Sequence, residues 1–284
     1  MTASLEALDV ALYRDIVGSA LSEDLGQGDR TTEATIETGQ RGCGELRTKE
    51  WCVLAGLDIA LEVFRHIDPT VLVVNKKPDG HEYNPGDLVV TLEGHADALL
   101  KAERTALNFL QRLTGIATAA RRYVKAAAGR AIILDTRKTT PTFRALEKYA
   151  VRAGGATNHR FALDDGLLIK DNHVRLAGSI STAVNRVRAG RVDMAIEVEA
   201  QSLAEVDEAL ELGVDIVLLD NMTLDELREA LTRCRGRVMT EVSGGVTLDR
   251  IDALAALQPT YISVGCLTHS AAAIDMSLDI RSAP

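Results

Sequence analysis

From about residue 130 onward, short apolar runs alternate with helical segments, and this repeat limits the folds open to the chain. The runs are AIILD, GLLIK, MAIEVE, DIVLLDN, VMTEVSGG and YISVG. Their later ends, at Glu199, Asp220, Ser243 and Gly265, stand 21, 23 and 22 positions apart, the length of one β/α unit. Uninterrupted apolar strands of this kind predict a parallel sheet covered by helices. Six clear strands, with room for a seventh, favour a small or incomplete α/β barrel. No GxGxxG follows any of them, which argues against a dinucleotide-binding sheet.

The first 115 or so residues show a different pattern. EDLGQGDRTTEAT predicts a polar loop, GELRTKEWCVLAG a strand region and LDIALEVFRHI a helix. VLVVNKKPDG and NPGDLVVTLEG, separated by turn residues, predict two antiparallel strands. Leucines at helical spacing between residues 96 and 128 predict a long helix.

Composition excludes several classes of function. A net charge of −9 and a pI near 5.2 argue against nonspecific nucleic-acid binding, so an anionic ligand must meet a local cluster of cations. No run approaches the ~18 apolar residues that span a membrane. The four cysteines lack zinc-type spacing, and the opening segment reads as an amphipathic helix rather than a signal peptide. We expect a cytoplasmic protein with reduced thiols.

Every strand of the repeat ends in polar or small residues, which predicts a catalytic rim because barrel active sites lie at these ends. The early strands supply cations: Arg137, Lys138, His159, Arg160, Lys170 and His173. The middle strands supply the carboxylates Glu199 and Asp220. The last two supply turns, with Ser243, Gly244 and Gly245 in one and Gly265, followed by His269, in the other.

These side chains suit an anionic substrate. Arg and Lys bind carboxylates or phosphates, and glycine turns that open into helices present N–H groups to phosphate. Two acids amid so much positive charge would hold Mg²⁺, ribose hydroxyls or a developing cation.

Other readings compete at several positions. We expect Arg144, Lys148 and Arg152 to form a solvated helix face. We expect Glu197 and Glu199 to face opposite sides of their strand, with Glu199 in the site and Glu197 in packing or a salt bridge.

Two further residues leave alternatives open. His269 is either a helix cap or a phosphate ligand, with the two readings about even. Arg104 lies on a helix whose neighbouring small and apolar residues indicate packing against something, for which a partner subunit is one candidate.

The order of motifs along nearly the whole chain resembles the quinolinate phosphoribosyltransferase family, also called nicotinate-nucleotide pyrophosphorylase (carboxylating). The motifs are EDLGQGDRTT, KAERTALNFLQRLTGIAT, DTRKTTP, RALEKYAVRAGGATNHR, LIKDNH, EVE, LLDN, SGG and VGCLTHS. The resemblance implies an N-terminal α/β sandwich domain (1–114) and a C-terminal, incomplete α/β barrel of about seven strands (115–272). Residues 273–284 are then a tail that packs back on the N-terminal domain.

The resemblance also implies a reaction and an assembly. Quinolinate and phosphoribosyl pyrophosphate (PRPP) give nicotinate mononucleotide, pyrophosphate and CO₂, with Mg²⁺ bound alongside PRPP and no organic cofactor. The implied assembly is a homodimer with shared active sites, which could assemble further, and neither nucleic acid nor membrane is a partner.

Family roles carry over residue by residue. Arg137, His159 and Arg160 would hold quinolinate, with Arg104 reaching in from the partner subunit. Lys138 and Lys170 would lie between quinolinate and the phosphoribosyl group, and Glu199 and Asp220 would face the ribose and the metal-bound pyrophosphate. The residues implied for the 5′-phosphate are Ser243, Gly244, Gly245, Gly265 and His269.

Three alternatives stay open. A molybdenum-transport-linked paralogue or a nicotinate-type phosphoribosyltransferase would share the fold and differ in substrate. NPGDLVV resembles hairpins of lipoyl- or biotin-carrying modules, but Lys76 and Lys77 precede a PDG turn rather than occupy one.

Overall fold

The structure is a computed structural model that describes residues 5–190 and 193–283. The described chain divides into two compact units. The first holds the chain up to Arg121, residues Thr140–Gly155 and the chain from Ser270 onward, and the second holds Arg122–Thr139 and Ala156–His269. The units are therefore discontinuous in sequence, whereas the sequence analysis expected single boundaries after residues 114 and 272.

A four-stranded antiparallel sheet organises the first unit, in the order β12-β1-β5-β3. Its two predicted antiparallel strands, β3 and β5, are confirmed and pair directly. The C-terminal strand β12 pairs along the whole of its length with β1. The strands of this unit are β1 (Arg41–Thr48), β2 (Cys52–Val53), β3 (Leu72–Val74), β4 (Glu82–Tyr83), β5 (Leu88–His95) and β12 (Met276–Ser282).

Helices of the first unit follow the sequence pattern with one exception. They are α1 (Arg14–Leu25), α2 (Arg30–Thr35), α3 (Leu57–Ile67), α4 (Ala96–Ala127, whose last residues belong to the second unit) and α5 (Arg144–Ala153), after a 3₁₀ turn at Val10–Leu12. Helix α2 contradicts the predicted loop. It forms because the Asp29 side chain accepts the Thr32 N–H at 3.0 Å and so caps the helix.

Six parallel strands form the sheet of the second unit, and all six match the predicted apolar runs. They are β6 (Ile132–Leu134), β7 (Leu167–Ile169), β8 (Ile196–Ala200), β9 (Ile216–Asp220), β10 (Met239–Ser243) and β11 (Tyr261–Ser263). The order β6-β11-β10-β9-β8-β7 places the first strand beside the last, as in an α/β barrel. The free edge of β6 makes a single parallel bridge, between Leu134 and Thr157, and the described residues form no seventh strand in this sheet.

Helices connect these strands, and local signals start several of them. They are α6 (Asp171–Ala177), α7 (Ile180–Ala189), α8 (Leu203–Leu212), α9 (Leu224–Cys234), α10 (Ile251–Ala256) and α11 (Cys266–His269), with a 3₁₀ turn at Leu248–Arg250. Thr223 and Glu226 form the predicted capping box of α9. At α8 only half of the predicted box forms: Ser202 accepts the Glu205 N–H, but the Glu205 carboxylate binds the Gln201 N–H instead.

The expectation for the charged face of α5 is wrong at Lys148, which is 1% exposed. Its neighbour Glu147 is also fully buried, and there it pairs with Arg112 at 2.9 Å and accepts from Thr140. Helical spacing identifies which residues share a face, but it does not show that tertiary packing buries the charged residues Glu147 and Lys148.

Two further observations bear on the class of protein. No helix of the described chain combines the length and the apolarity needed to cross a membrane. None of the four cysteines forms a disulfide.

Gly115 in α4 offers a test of packing in the first unit. A methyl group there would lie 2.0 Å from the backbone oxygen of Ala272. Gly→Ala in an open helix adds about 1 kcal/mol of stability, but overpacking a closed contact costs about 1–3 kcal/mol. Because a 2.0 Å contact with backbone puts the cost at the upper end of that range, we expect Gly115→Ala to lower the free energy of unfolding by about 2 kcal/mol net, measured by urea denaturation.

The matched control is Gly18→Ala in α1, where the nearest neighbouring atom would lie 3.4 Å away. This variant should unfold at an unchanged or higher urea concentration. Equal stability of the two variants would show that the contact at Gly115 relaxes without cost.

Candidate active site

A cleft of about 690 Å³ lies at the carboxyl ends of the parallel strands in the second unit. Most of the predicted site residues line it: Arg137, Lys138, His159, Arg160, Lys170, Glu199, Asp220, Ser243, Gly244 and Gly245. Residues up to 108 positions apart in sequence (Arg137 to Gly245) therefore share one cavity, as the strand-end argument predicts.

Four predicted residues are not among those that line the cleft. Two of them are Gly265 and His269; a methyl group on Gly265 would lie 3.2 Å from Cδ of Lys138 and 3.3 Å from Nε2 of His269. Arg104 is exposed on α4 in the first unit. His173, the remaining cation of the predicted rim, accepts the Lys170 N–H through Nδ1 at 2.9 Å and so caps α6.

Several lining residues were missed by the sequence analysis, and a period of two would have found some of them. Alternate residues of a strand face the same side, and here they enter the cleft as pairs: Leu168 with Lys170, Glu199 with Gln201, Leu218 with Asp220, and Glu241 with Ser243. Counting back two positions from each predicted strand end would have identified Glu241. Four polar residues that stand at the predicted strand ends, but for which no role was predicted, also line the cleft: Thr136, Asp171, Asn172 and Asn221. Ser263 lines it as well and lies outside the predicted rim.

Asp135 brings the two basic groups of the sequence together. It directly follows β6 and has no exposed surface, and its carboxylate accepts from the Asn158 side chain at 2.7 Å and from the His159 N–H at 2.8 Å. The Asp135 N–H in turn donates to the Thr157 carbonyl at 3.1 Å. Residues 157–160 are thereby held beside the strand that leads into Arg137.

The two arginines of this region lie close enough to repel each other. Burial, followed by the charge of Arg137, lowers the pKa of Arg160. Nε of Arg137 is a buried donor with no hydrogen-bond partner among the described residues. This donor belongs to one of two cations that repel each other. An anionic acceptor that binds here would satisfy the donor and offset the repulsion.

A buried ionic cluster borders the cleft, where His159 faces two carboxylates. Its Nε2 lies 3.3 Å from an oxygen of Glu197 and 3.4 Å from one of Glu241. The glutamates are 6% and 2% exposed. Burial lowers the pKa of His159, but hydrogen bonds with the two carboxylates outweigh it and raise the pKa to about 9.

One contact opposes this protonation. The Arg160 N–H donates to Nδ1 of His159 at 2.8 Å, which requires an unprotonated nitrogen. A neutral hydrogen bond contributes about 1 kcal/mol net, whereas a charge pair at 4 Å in a partly screened site contributes about 4 kcal/mol. Two charged partners outweigh one amide, so the imidazolium is the stable form at neutral pH.

The expectation that Glu197 and Glu199 face opposite sides of β8 is wrong. Residues two apart lie on one face of a strand, and both carboxylates point to the inner side. Glu199 lines the cleft, and Glu197 binds His159 next to it. The salt-bridge role expected for Glu197 is therefore present, but inside the sheet. Its pKa is raised by burial and by the charge of Glu241.

Two groups of side chains have the composition of a cation site. Glu199 and Asp220 are bridged by the side-chain amide of Gln201 at 3.5 and 3.4 Å, and burial, followed by the Asp220 charge, raises the pKa of Glu199. A divalent cation would relieve that repulsion, so the pair fits Mg²⁺. His159, Glu197 and Glu241 also offer ligand atoms within 4.8 Å of one another, but there the protonated imidazole already pairs with both carboxylates in place of a metal cation.

The turn after β10 needs glycine. Gly244 and Gly245 adopt φ values of +92° and +56°, in the left-handed region. A methyl group on Gly244 would lie 2.2 Å from Oδ1 of Asn221. Asn221 in turn donates to the Asp220 carboxylate at 2.7 Å, which links this turn to the acidic pair.

Comparisons with known proteins agree along nearly the whole chain. Two family models match, "Quinolinate phosphoribosyl transferase, N-terminal domain" over residues 29–114 and the C-terminal domain of the same family over residues 116–279. The probable nicotinate-nucleotide pyrophosphorylase (carboxylating) of Bacillus subtilis is 42% identical over 261 residues, 91% of this chain and 90% of that one. The nicotinate-nucleotide pyrophosphorylase (carboxylating) of Mycobacterium leprae is 40% identical over 94% of this chain and 96% of its own.

Solved structures give the same answer. NadC from Streptococcus pyogenes superposes with a TM-score of 0.95 at 40% identity, over 98% of this chain and 100% of that one. Human nicotinic acid phosphoribosyltransferase superposes with a TM-score of 0.59 at 13% identity, over 98% of this chain and 75% of that one, which shows a shared fold alone.

The ionic cluster gives a testable pH dependence. We expect His159 to keep its second proton up to about pH 9. Because this pKa lies above the unfolded value of about 6.5, the ion pairs stabilise the folded chain fully below about pH 6.5, and the stabilisation is lost as the pH rises through about 9. NMR can follow the imidazoles of all six histidines, with the His159 signal assigned through its loss in His159→Gln.

Glu197→Gln should lower the pKa of His159 by about one unit or more, because a neutral amide replaces an anion. Glu211→Gln, an exposed change on α8, should leave it unchanged. A wild-type His159 that titrates near pH 6.5 would contradict the imidazolium assignment.

Proposed function

The chain belongs to the quinolinate phosphoribosyltransferase family, and we propose that it transfers phosphoribosyl from PRPP to quinolinate with decarboxylation. The products are nicotinate mononucleotide, pyrophosphate and CO₂, so the enzyme is a pentosyltransferase that supplies the pyridine ring for NAD. The observation that carries the proposal is the pair of basic groups in the cleft, Arg137 beside His159 and Arg160. The buried Nε of Arg137 has no hydrogen-bond acceptor among the described residues.

The carboxylates of quinolinate would occupy this basic end. Arg137, His159 and Arg160 offer two guanidinium groups and an imidazolium to a dianion. Arginine binds carboxylates in a bidentate manner. Binding there would also relieve the repulsion by Arg137, which together with the larger effect of burial lowers the pKa of Arg160.

PRPP would occupy the remainder of the cleft. Ser243, Gly244 and Gly245 form the turn that would take the 5′-phosphate, with Gly265 and His269 close to Lys138 in the loop that follows β6. Glu199 and Asp220 would hold the Mg²⁺ that arrives with PRPP, and the ion would supply charge neutralisation at the pyrophosphate.

The chain's own residues account for both chemical steps. As pyrophosphate leaves, the ribosyl carbon becomes positive, and the carboxylates of Glu199 and Asp220 stabilise it electrostatically. The ring nitrogen attacks that carbon and becomes cationic. When the C–C bond to CO₂ breaks, its electron pair stays on the ring carbon, stabilised by the cationic nitrogen. Lys138 then stabilises that carbon or protonates it, while Lys170, 4.0 Å from Glu199, stands on the ribose side.

The alternatives differ in substrate rather than fold. A nicotinate-type enzyme needs only one carboxylate contact and releases no CO₂, and a molybdenum-transport-linked paralogue need not use PRPP. The relatives named as carboxylating or decarboxylating enzymes favour quinolinate.

The reaction itself is the first test. We expect the protein to release ¹⁴CO₂ from quinolinate labelled in the 2-carboxylate only when PRPP and Mg²⁺ are both present. Lys138→Met should slow decarboxylation by about a hundredfold or more, since it removes a group that acts on the reacting carbon. PRPP-dependent turnover of nicotinate without CO₂ release would contradict the proposal, and so would a Lys138→Met rate within a few-fold of wild type.

We also propose a cytoplasmic homodimer with shared active sites, in which Arg104 of one subunit reaches quinolinate in the other. Arg104 is exposed on α4, so it is available to a neighbouring molecule. The four cysteines, none of which forms a disulfide, fit a reducing compartment.

Subunit mixing tests the shared site. Arg104→Ala and Lys138→Ala subunits should each be inactive alone. Random reassortment should restore about a quarter of the sites, because half of the dimers carry one intact site. Arg65→Ala, an exposed arginine of α3, serves as the control and should stay active alone. No recovery despite proven subunit exchange would place Arg104 outside a shared site.

A further inference from the structure

The backbone of Lys138 is tied to the short helix that follows the last strand of the parallel sheet. Thr268, on α11, donates its hydroxyl to the Lys138 carbonyl, with Oγ1 2.8 Å from that oxygen. The same Oγ1 lies 3.2 Å from the Gly265 carbonyl, which makes Lys138 the nearer acceptor. Thr268 has no exposed surface, so water does not compete for this hydroxyl.

The side chain of Lys138 lies against Gly265. A methyl group on Gly265 would stand 3.2 Å from Cδ of Lys138, closer than an ordinary contact. The φ angle of Gly265 lies outside the left-handed region, so the backbone does not require glycine here. What glycine provides at this position is space, and the lysine stem fills it.

Strand pairing brings these residues together. Ser263 of β11 pairs with Leu134 of β6, and the Val264 N–H donates to the Leu134 carbonyl at 2.9 Å. The two loops therefore leave neighbouring strands at the same level. The Lys138 N–H also donates to the Thr136 hydroxyl at 3.1 Å, so both backbone polar groups of Lys138 are held.

We propose that Thr268 and Gly265 are positioning residues for Lys138. Thr268 fixes the lysine backbone, and Gly265 leaves the channel along which its stem runs. This inference rests on the proposed function, in which Lys138 acts on the pyridine ring. A lysine is a flexible four-carbon chain, and fixing its base and stem reduces the conformations from which the amine must find the reacting carbon.

Thr268→Val is the sharpest variant because it keeps the shape and removes the hydroxyl. It should lower kcat about tenfold, since small displacements of a catalytic group are costly, and leave KM for quinolinate and for PRPP within about twofold. Thr268→Ser, which keeps the hydroxyl, should restore kcat. A Thr268→Val enzyme with wild-type kcat overturns the inference, and so does a Thr268→Ser enzyme as slow as Thr268→Val.

Thr240→Val is the matched control. Thr240 is a buried threonine of β10 whose hydroxyl accepts the Thr260 N–H at 3.2 Å. This hydrogen bond does not involve Lys138. The Thr240→Val enzyme should retain kcat while losing a similar hydrogen bond. Equal losses of kcat in the two variants would indicate a general packing effect and overturn the specific role of Thr268.

Gly265→Ala tests the second contact without depending on Thr268. The added methyl group would lie 3.2 Å from the lysine stem and 3.3 Å from Nε2 of His269. Because it presses on the lysine stem, kcat should fall about tenfold with KM for PRPP unchanged. A rise in KM for PRPP at constant kcat would assign Gly265 to phosphate binding instead and overturn its positioning role.

A readout without turnover separates this inference from the proposed function. Amine-directed acylation with peptide mass spectrometry gives the labelling rate of Lys138, with Lys170, the other lysine of the cleft, as the internal reference. Thr268→Val and Gly265→Ala should change the rate at Lys138 and not at Lys170, whereas Thr240→Val should change neither. A wild type inactive on quinolinate would overturn the proposed function alone. Unchanged labelling of Lys138 in both variants would overturn the positioning role alone.

Discussion

The buried carboxylate of Asp135 fixes the two basic groups that make one end of the cleft. One group leaves β6 directly after Asp135, and the other begins more than twenty residues later, at His159 (159 − 135 = 24). The carboxylate accepts from the Asn158 side chain and the His159 N–H, and a buried carboxylate is tolerated only when such donors satisfy it. The positions of Arg137, His159 and Arg160 therefore depend on the residue that directly follows a three-residue strand.

The positive charge of this end of the cleft comes from half-buried side chains, whereas the chain as a whole is negatively charged. The chain as a whole carries a charge of −9, so long-range attraction does not bring a dianion to the cleft. Inside the sheet, Glu197 and Glu241 pair with His159, while Arg137 and Arg160 repel each other close by. Because Glu197 and Glu241 pair with the imidazole, they leave the two guanidinium groups able to bind an anionic ligand. That arrangement suits a site that must be stable when empty and attractive to an anion.

The sequence predicted the strands of the second unit and most of the cleft because both follow from periodicity. An apolar run with a polar end predicts the strand and the side of the sheet on which its end lies. The failures have physical causes. Glu241 was overlooked since it lies inside an apolar run, and Glu197 was assigned to the wrong face although it lies two residues from Glu199. Burial of Lys148 and capping by Asp29 depend on tertiary and local hydrogen-bonding partners that composition does not report.

Strand order explains what periodicity could not. Position along the chain suggests that residues after the last strand serve the phosphate, because they stand beside the last glycine turn. The sheet, however, places β11 next to β6, so the helix after the last strand meets the loop after the first. Contacts between Thr268 and Lys138, which are 130 residues apart, follow from that closure and from the register at Leu134. Because the first and last strands of this sheet are neighbours, the loop after the last strand supports the loop after the first. Lys138 therefore depends on Gly265 and Thr268, which lie in a segment that the sequence order assigns to the 5′-phosphate.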